Sequence, residues 1–197
     1  MVDRTRSVSP FLQAIRDHMT VVEQLENQQE LFEQIADRMI RALQAGNKIL
    51  WCGNGGSAAD SQHLAAEIVG RFRRERRGWA SLALTTDTSI LTAIGNDYGY
   101  EAIFARQIEA LCQAGDVVVG ITTSGNSQNV CNAIQCARAI GAFTVGMTGE
   151  GGGKLASMAD ACLRVASRDT ARIQECHILF GHALCDRVES ALCVDNP

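Results

Sequence analysis

Proline is nearly missing from this chain, at 2 of 197 residues. That excludes a Pro-rich linker or a Pro-stiffened tether between two domains. Positive charge is also short. Lys and Arg number 18 against 22 Asp and Glu, a formal net charge of −4, whereas proteins that grip a phosphate backbone are usually basic. Nucleic acid is therefore not the expected partner. No apolar run approaches the ~18 residues of a membrane span, and the opening MVDRTRSVSP carries no hydrophobic signal region. A membrane is not an expected partner either, and the expected location is the cytoplasm. No C-x-x-C pair, internal repeat or low-complexity tract occurs.

What is present describes a globular protein. The chain is 46% hydrophobic, and a length near 200 residues buries about 70% of the unfolded surface. Disorder is excluded, and one domain over residues 1–197 is expected. Cys52, Cys112, Cys131, Cys136, Cys162, Cys176, Cys185 and Cys193 are scattered through apolar segments, which reads as reduced, mostly buried thiols. Arg71, Arg73, Arg74, Arg76 and Arg77 form a local basic run, and the plain reading is a solvated stretch after a helix. Glycines cluster at 53–56 and 149–153, where backbone is expected to work close to a ligand.

Residues 11–45 read as helix. Ile15, Met19, Val22 and Leu25 make one apolar stripe, Leu31, Ile35, Met39, Ala42 and Leu43 a second, and Gly46-Asn47 stops the helix. Such an opening helical pair, residues 1–46, precedes the sheet and cannot be covered by it on all sides, so it is a candidate for subunit packing. From 47 onward the pattern alternates. Short apolar runs fall at 48–52, 81–85, 116–122, 143–148 and 161–166, with helical patterns near 58–72, 101–112, 128–140 and 170–192. That order predicts an α/β protein whose parallel sheet is covered on both faces. Ligands of such sheets sit beyond the carboxyl ends of the strands.

Two loops stand at such ends. Cys52-Gly53-Asn54-Gly55-Gly56-Ser57 follows a strand and opens a helix, so its backbone amides could approach an anion or simply close a tight turn. It has neither the Walker pattern nor the Rossmann glycine spacing. Thr122-Thr123-Ser124-Gly125-Asn126-Ser127 gathers four hydroxyls and a glycine at a helix start. A plain N-cap needs one hydroxyl, so this loop suits a phosphate monoester bound by hydrogen bonds.

His63 and Glu67 are four apart on one helix face, a spacing that serves a metal ligand pair, a shared proton or an ordinary surface pair. The last helix carries Gln174, Glu175, His177 and His182; His177 and His18 read as structural. Gln174 and His182 lie about 12 Å apart along a regular helix, too far for both to reach one ion at ~2 Å. Either that helix starts irregularly or the two come from different chains, which points to a site shared between subunits.

Four blocks in order, CGNGGSAADSQHLAAE, TTDTSILTAIGNDYGYE, GDVVVGITTSGNSQNV and ARIQECHILFGH, together resemble the phosphoheptose isomerases of the sugar-isomerase (SIS) fold family. The likeness runs from about residue 48 through the last helix. It implies a three-layer α/β/α sandwich around a five-stranded parallel sheet, with an N-terminal helical extension, assembled as a homotetramer with interfacial active sites. The implied reaction is aldose–ketose isomerisation of sedoheptulose 7-phosphate to D-glycero-D-manno-heptose 7-phosphate, the first step towards activated heptose for bacterial surface carbohydrate. The resemblance further implies one zinc ion per subunit, with His63, Glu67, Gln174 and His182 at the metal, and Glu67 and His182 as the acid–base pair. Asn54, Gly55, Gly56, Ser57, Glu67, Asn96, Asp97 and Gln174 match sugar contacts, and Thr122, Thr123, Ser124 and Ser127 the phosphate site. Thr122 replaces the family's first loop serine, keeping the hydroxyl but adding a methyl.

The residues suit that chemistry on their own terms. Moving a proton between adjacent carbons through an enediol needs a base and an acid whose roles then reverse, and a carboxylate with an imidazole supplies both near neutral pH. Three rivals remain: a non-catalytic SIS relative that binds a replication initiator, an isomerase of another sugar phosphate, and a structural or sensing SIS module that would not need the acid–base pair. The first tends to lack the acidic and histidine positions that Glu67 and His182 fill here.

Overall fold

The computed structural model describes residues 9–193; residues 1–8, most of the N-terminal segment read for a signal, and the last four residues lie outside them. Five parallel strands, β1 (Ile49–Gly53), β2 (Ser81–Ala83), β3 (Val117–Ile121), β4 (Phe143–Thr148) and β5 (Ala161–Arg164), pair in the order β2-β1-β3-β4-β5. The five expected strands are all present, β4 at the expected bounds and the other four shifted or trimmed by one or two residues. Helices α1 (Pro10–Val22), α2 (Gln29–Gln44), α3 (Gly56–Val69) and α8 (Thr170–Cys193) belong to one face; α4 (Thr88–Tyr98), α5 (Ala105–Leu111), α6 (Gln128–Ile140) and α7 (Gly153–Met158) belong to the other. This is the expected α/β/α layering.

Strand residues alternate between the layers because the side-chain period of a strand is two. Ile49, Trp51, Val117 and Val119 join Met39, Leu64, Ile68, Phe180, Leu184 and Val188 in one core. Leu50, Cys52 and Val118 join Ile108, Val130, Ile134 and Leu155 in the other. Both faces are buried, so the strands read as unbroken apolar runs. The thiols sit as expected, with burial pushing Cys52 and Cys185 up to about 12 and Cys112 to about 11, which keeps them protonated and unreactive.

The expected opening helical pair is present, its two helices joined by a 3₁₀ segment at Glu23–Gln28. The second stripe packs as foreseen, with Ile35, Ala36, Met39, Ile40 and Leu43 buried, while Phe11, Leu12, Ile15 and Met19 of α1 remain exposed. Gly46 ends α2 at φ +82°, and Asn47 N–H donates back to Ala42 O at 2.9 Å, as a glycine at a helix C-terminus does. Two helices were not anticipated. α4 is capped by the Asp87 carboxylate, which accepts from Ile90 N–H at 2.9 Å, and the short α7 follows the second glycine cluster. Among the described residues, no helix is long and apolar enough to cross a membrane.

His177 is structural, as expected, yet only half satisfied. It is fully buried; Nε2 donates to the Thr148 carbonyl at 3.2 Å, while Nδ1 has no partner among the described residues. Burial pushes its pKa down to about 4, against the opposing pull of that carbonyl. A group protonated more readily unfolded than folded destabilises as pH falls below the unfolded value near 6.5. Chemical denaturation at pH 7.5 and pH 5 should therefore show wild-type protein losing about 2 kcal/mol through this residue. His177→Gln should lose that much less over the same interval, and an unchanged pH slope would contradict the assignment.

Candidate functional site

β1 and β3 are neighbours, and the chain leaves β1 in opposite directions to reach β2 and β3. This reversal puts the loops after β1 and β3 side by side at the carboxyl edge, where open sheets hold ligands. The Asn54 side chain exchanges two amide hydrogen bonds of 2.9 Å with buried Asn129 on α6, and its carbonyl also accepts from Tyr100 Oη at 2.8 Å. Asn129 and Tyr100 were not singled out in the sequence. A polar position on the inner face of α6 was the available signal for the first.

The first loop behaves mainly as a turn. Ser57, Ala58 and Ala59 donate their N–H groups to the carbonyls of Asn54 and Gly55 at 3.0–3.2 Å. Gly55 adopts φ +57°, and a Cβ on Gly56 would come within 2.4 Å of Gln174 Nε2. Gln174 of α8 thus lies against the opening of α3. A cavity of ≈ 440 Å³ beside this loop is lined by Gly53, Asn54, Thr85, Leu91, Gly95 and Tyr100, among others. Asn96 and Asp97, expected at the sugar, lie on the exposed last turn of α4, outside the lining of this cavity, where Asn96 Nδ2 donates to Asp97 Oδ1 at 2.8 Å.

In the second loop the hydroxyls are not spent on capping. Ser127 is the N-cap of α6 without a side-chain cap bond, and its Oγ meets the buried Thr122 Oγ1 at 2.8 Å. Thr122 Oγ1 also lies 3.3 Å from Ser124 Oγ. Thr123 and Ser124 open onto a cavity of ≈ 390 Å³ with Glu150, Ser167 and Arg168. The glycines at 149–153 pack against this loop, and Gly151 lines the same cavity. A Cβ on Gly125, at φ +67°, would stand 2.0 Å from Gly152 O, and Leu155 N–H donates to Gly125 O at 2.9 Å. At Gly152 and Gly153 the cluster marks backbone crossing backbone.

His63 and Glu67 project from α3 and His182 from α8, with one donor atom of each lying within 4.8 Å of the others. His63 Nε2 is 2.8 Å from His182 Nε2 and 3.3 Å from Glu67 Oε1. Two imidazole nitrogens so close share at most one proton, which leaves a lone pair aimed into the cluster. Burial lowers the His182 pKa and His63 adds to that, while Glu67 opposes both. Ligands of a tetrahedral ion at 2.0–2.1 Å stand roughly 3.3 Å apart, so this donor set suits a divalent metal. Asp60, one turn before His63, was also missed. Burial raises its pKa against the pull of His63, and Oδ2 is buried without a partner among the described residues.

Gln174 does not join this cluster. α8 is one continuous α-helix over Thr170–Cys193, which removes the irregular start allowed from the sequence. His63, Glu67 and His182, by contrast, come together within one chain.

The SIS domain family profile matches residues 11–149 of this chain. The chain is 54% identical over 173 residues to a phosphoheptose isomerase of Aliarcobacter butzleri, covering 88% of this chain and 92% of that protein. It is 58% identical over 159 residues to a phosphoheptose isomerase of Aquifex aeolicus, covering 81% and 83%. The solved structure of phosphoheptose isomerase from Neisseria gonorrhoeae superposes with a TM-score of 0.86 at 47% identity, covering 90% of this chain and 96% of that one.

The crossing of the two glycine loops gives a direct stability test. Gly125→Ala must both adopt a left-handed conformation and push a methyl into Gly152, and should cost about 2–4 kcal/mol in urea denaturation. Gly151→Ala, whose Cβ meets nothing within 4 Å, should stay within about 0.5 kcal/mol of wild type. Equal effects would show that the crossing does not constrain the loop.

Proposed function

Because the chain belongs to the SIS-domain family and, within it, to the phosphoheptose isomerases, we propose that it converts sedoheptulose 7-phosphate to D-glycero-D-manno-heptose 7-phosphate. The observation that carries the reading is the meeting of His63, Glu67 and His182 in a chain that also keeps the hydroxyl loop. Glu67 is the base: its carboxylate takes the proton from the carbon beside the carbonyl and returns it to the neighbouring carbon. His182 is the acid, donating its ring proton to the carbonyl oxygen, and the two roles reverse as the enediol collapses. The lowered His182 pKa keeps that ring neutral at pH 7, able to give one proton and take another.

His63, Glu67 and His182 would hold one zinc ion, which when bound polarises the carbonyl and hydroxyl oxygens of the sugar. Thr122, Thr123, Ser124 and Ser127 hold the phosphate, turning binding into alignment of the far end of the substrate. Asn54, Gly55, Gly56 and Ser57 line the sugar, with Asn96 and Asp97 approaching it from α4. We assign residues 1–197 to one SIS domain working in the cytoplasm as a homotetramer, towards activated heptose for surface carbohydrate. Gln174 lies a helix segment away from the triad, so its place at the metal is filled by a second copy. The exposed apolar row of α1 and the ≈ 640 Å³ groove it forms with α8, which reaches His182, support that interfacial arrangement.

A product assay tests the reading. Zinc-supplied protein is incubated with sedoheptulose 7-phosphate, and aldoheptose phosphate is followed by NMR. Wild type should form product, and Glu67→Gln should fold and assemble but lose at least about 1,000-fold in kcat. Activity of Glu67→Gln near wild type would remove Glu67 as base, and absence of product with the wild type would shift the substrate to another sugar phosphate. In mixed tetramers, Gln174→Ala with His182→Ala subunits should recover activity, whereas Glu67→Gln with His182→Ala should not.

A further inference from the structure

Among the arginines of 71–77, Arg76 departs from the solvated reading. Its side chain is 5% exposed, against 66% for Arg73 and 45% for Arg74. The guanidinium lies 3.7 Å from the centroid of the Trp79 ring, and Nε donates to Glu189 Oε1 at 3.0 Å. Nη2 donates to the Glu67 carbonyl at 2.9 Å, while Nη1 donates to the carbonyls of Ile68 and Gly70 at 3.0 Å and of Arg77 at 3.1 Å. Carbonyls at the end of α3 have no partner inside the helix, and a cation suits the negative end of its dipole.

Glu189, fully buried on α8, completes the arrangement. Its carboxylate accepts from the backbone N–H groups of Phe72, Arg73 and Arg74 at 2.9, 2.7 and 2.9 Å. Burial raises its pKa, but these amides and Arg76 outweigh that and hold it below the usual carboxylate range. Two residues held this way touch the candidate centre. Glu67 is gripped through its carbonyl while its side chain faces His63, and the Phe72 ring lies 5.6 Å from the His182 ring. Apolar packing of similar volume often stabilises as well as a buried ion pair, so stability alone does not account for a carboxylate with four donors and a guanidinium with four carbonyl acceptors and one carboxylate oxygen.

We propose that Arg76 and Glu189 are positioning residues: their clasp fixes the last turn of α3 against α8, so that Glu67 and His182 keep the spacing that a metal ion and a proton relay require. The inference rests on the reading of His63, Glu67 and His182 as the reacting centre. Neither residue touches substrate; both act through Glu67 and Phe72.

The decisive measurement is Zn²⁺ affinity, read by competition with a chromophoric chelator and without substrate. Arg76→Lys keeps the charge but cannot fork to Glu189 and the α3 carbonyls together. Trp79→Leu is the milder second variant, removing only the ring under the guanidinium. Affinity should fall about 10- to 100-fold in Arg76→Lys, as when a contact supporting a metal ligand is lost, and by less in Trp79→Leu. Turnover should show kcat falling while KM stays within about twofold. Ile134→Ala, in the core on the opposite face of the sheet, should lower the melting temperature without moving Zn²⁺ affinity. Folded variants that bind Zn²⁺ as tightly as wild type, or an equal loss in Ile134→Ala, would overturn the proposal. Weakened Zn²⁺ binding beside a wild type that forms no aldoheptose phosphate would uphold the clasp and sink only the substrate assignment.

Discussion

The candidate centre depends on how closely α3 and α8 approach, and Gly181 sets that distance. A Cβ at Gly181 would fall 2.5 Å from a methyl of buried Leu64. The helices run parallel: Gly56 lies against Gln174, Leu64 against Gly181, and His63 against His182. Parallel helices are a consequence of parallel strands, since α3 follows β1 and α8 follows β5 on the same face. The backbone contact at Gly181 then delivers the next residue, His182, to its partner on α3. Interiors packed at crystal density transmit such a constraint with little slack.

The second half of the site obeys a different constraint. The reversal of strand order between β1 and β3 makes their loops neighbours, and the amide pair Asn54–Asn129 ties one loop to the helix that follows the other. Glycine crossing at Gly125 and Gly152 then fixes the hydroxyl loop against the loop after β4. Rigid support on both sides keeps the hydroxyls of Thr122, Ser124 and Ser127 in one arrangement. Rigid support is also what an isomerase needs, because a proton moved between adjacent carbons tolerates little error in the position of its base.

The strands, the layering and the packed half of the N-terminal helices were legible because their residues are apolar at a fixed period. His63, Glu67 and His182 were legible as candidates, since spacing on one helix is a local property. Which of them meet was not, because it depends on the α3–α8 register, set by a glycine 118 residues from His63 in a chain of 197. The same reason hid Arg76: among neighbouring arginines in a polar run, only the distant Glu189 and the nearby Trp79 distinguish it. α4 escaped notice because it buries no residue, so its apolar positions mark no packed face. The glycines at 149–153 were legible as close-approach positions, but at Gly152 and Gly153 what approaches is another loop.

The proposed proton transfer requires that one chain fold a His/Glu/His metal centre. X-ray absorption at the zinc edge of the zinc-loaded protein reads that centre directly. Nitrogen and oxygen donors are expected at about 2.0–2.1 Å, with the scattering signature of two imidazoles. A shell dominated by sulfur at about 2.3 Å, drawn from the cysteines, or a spectrum without histidine, would contradict it.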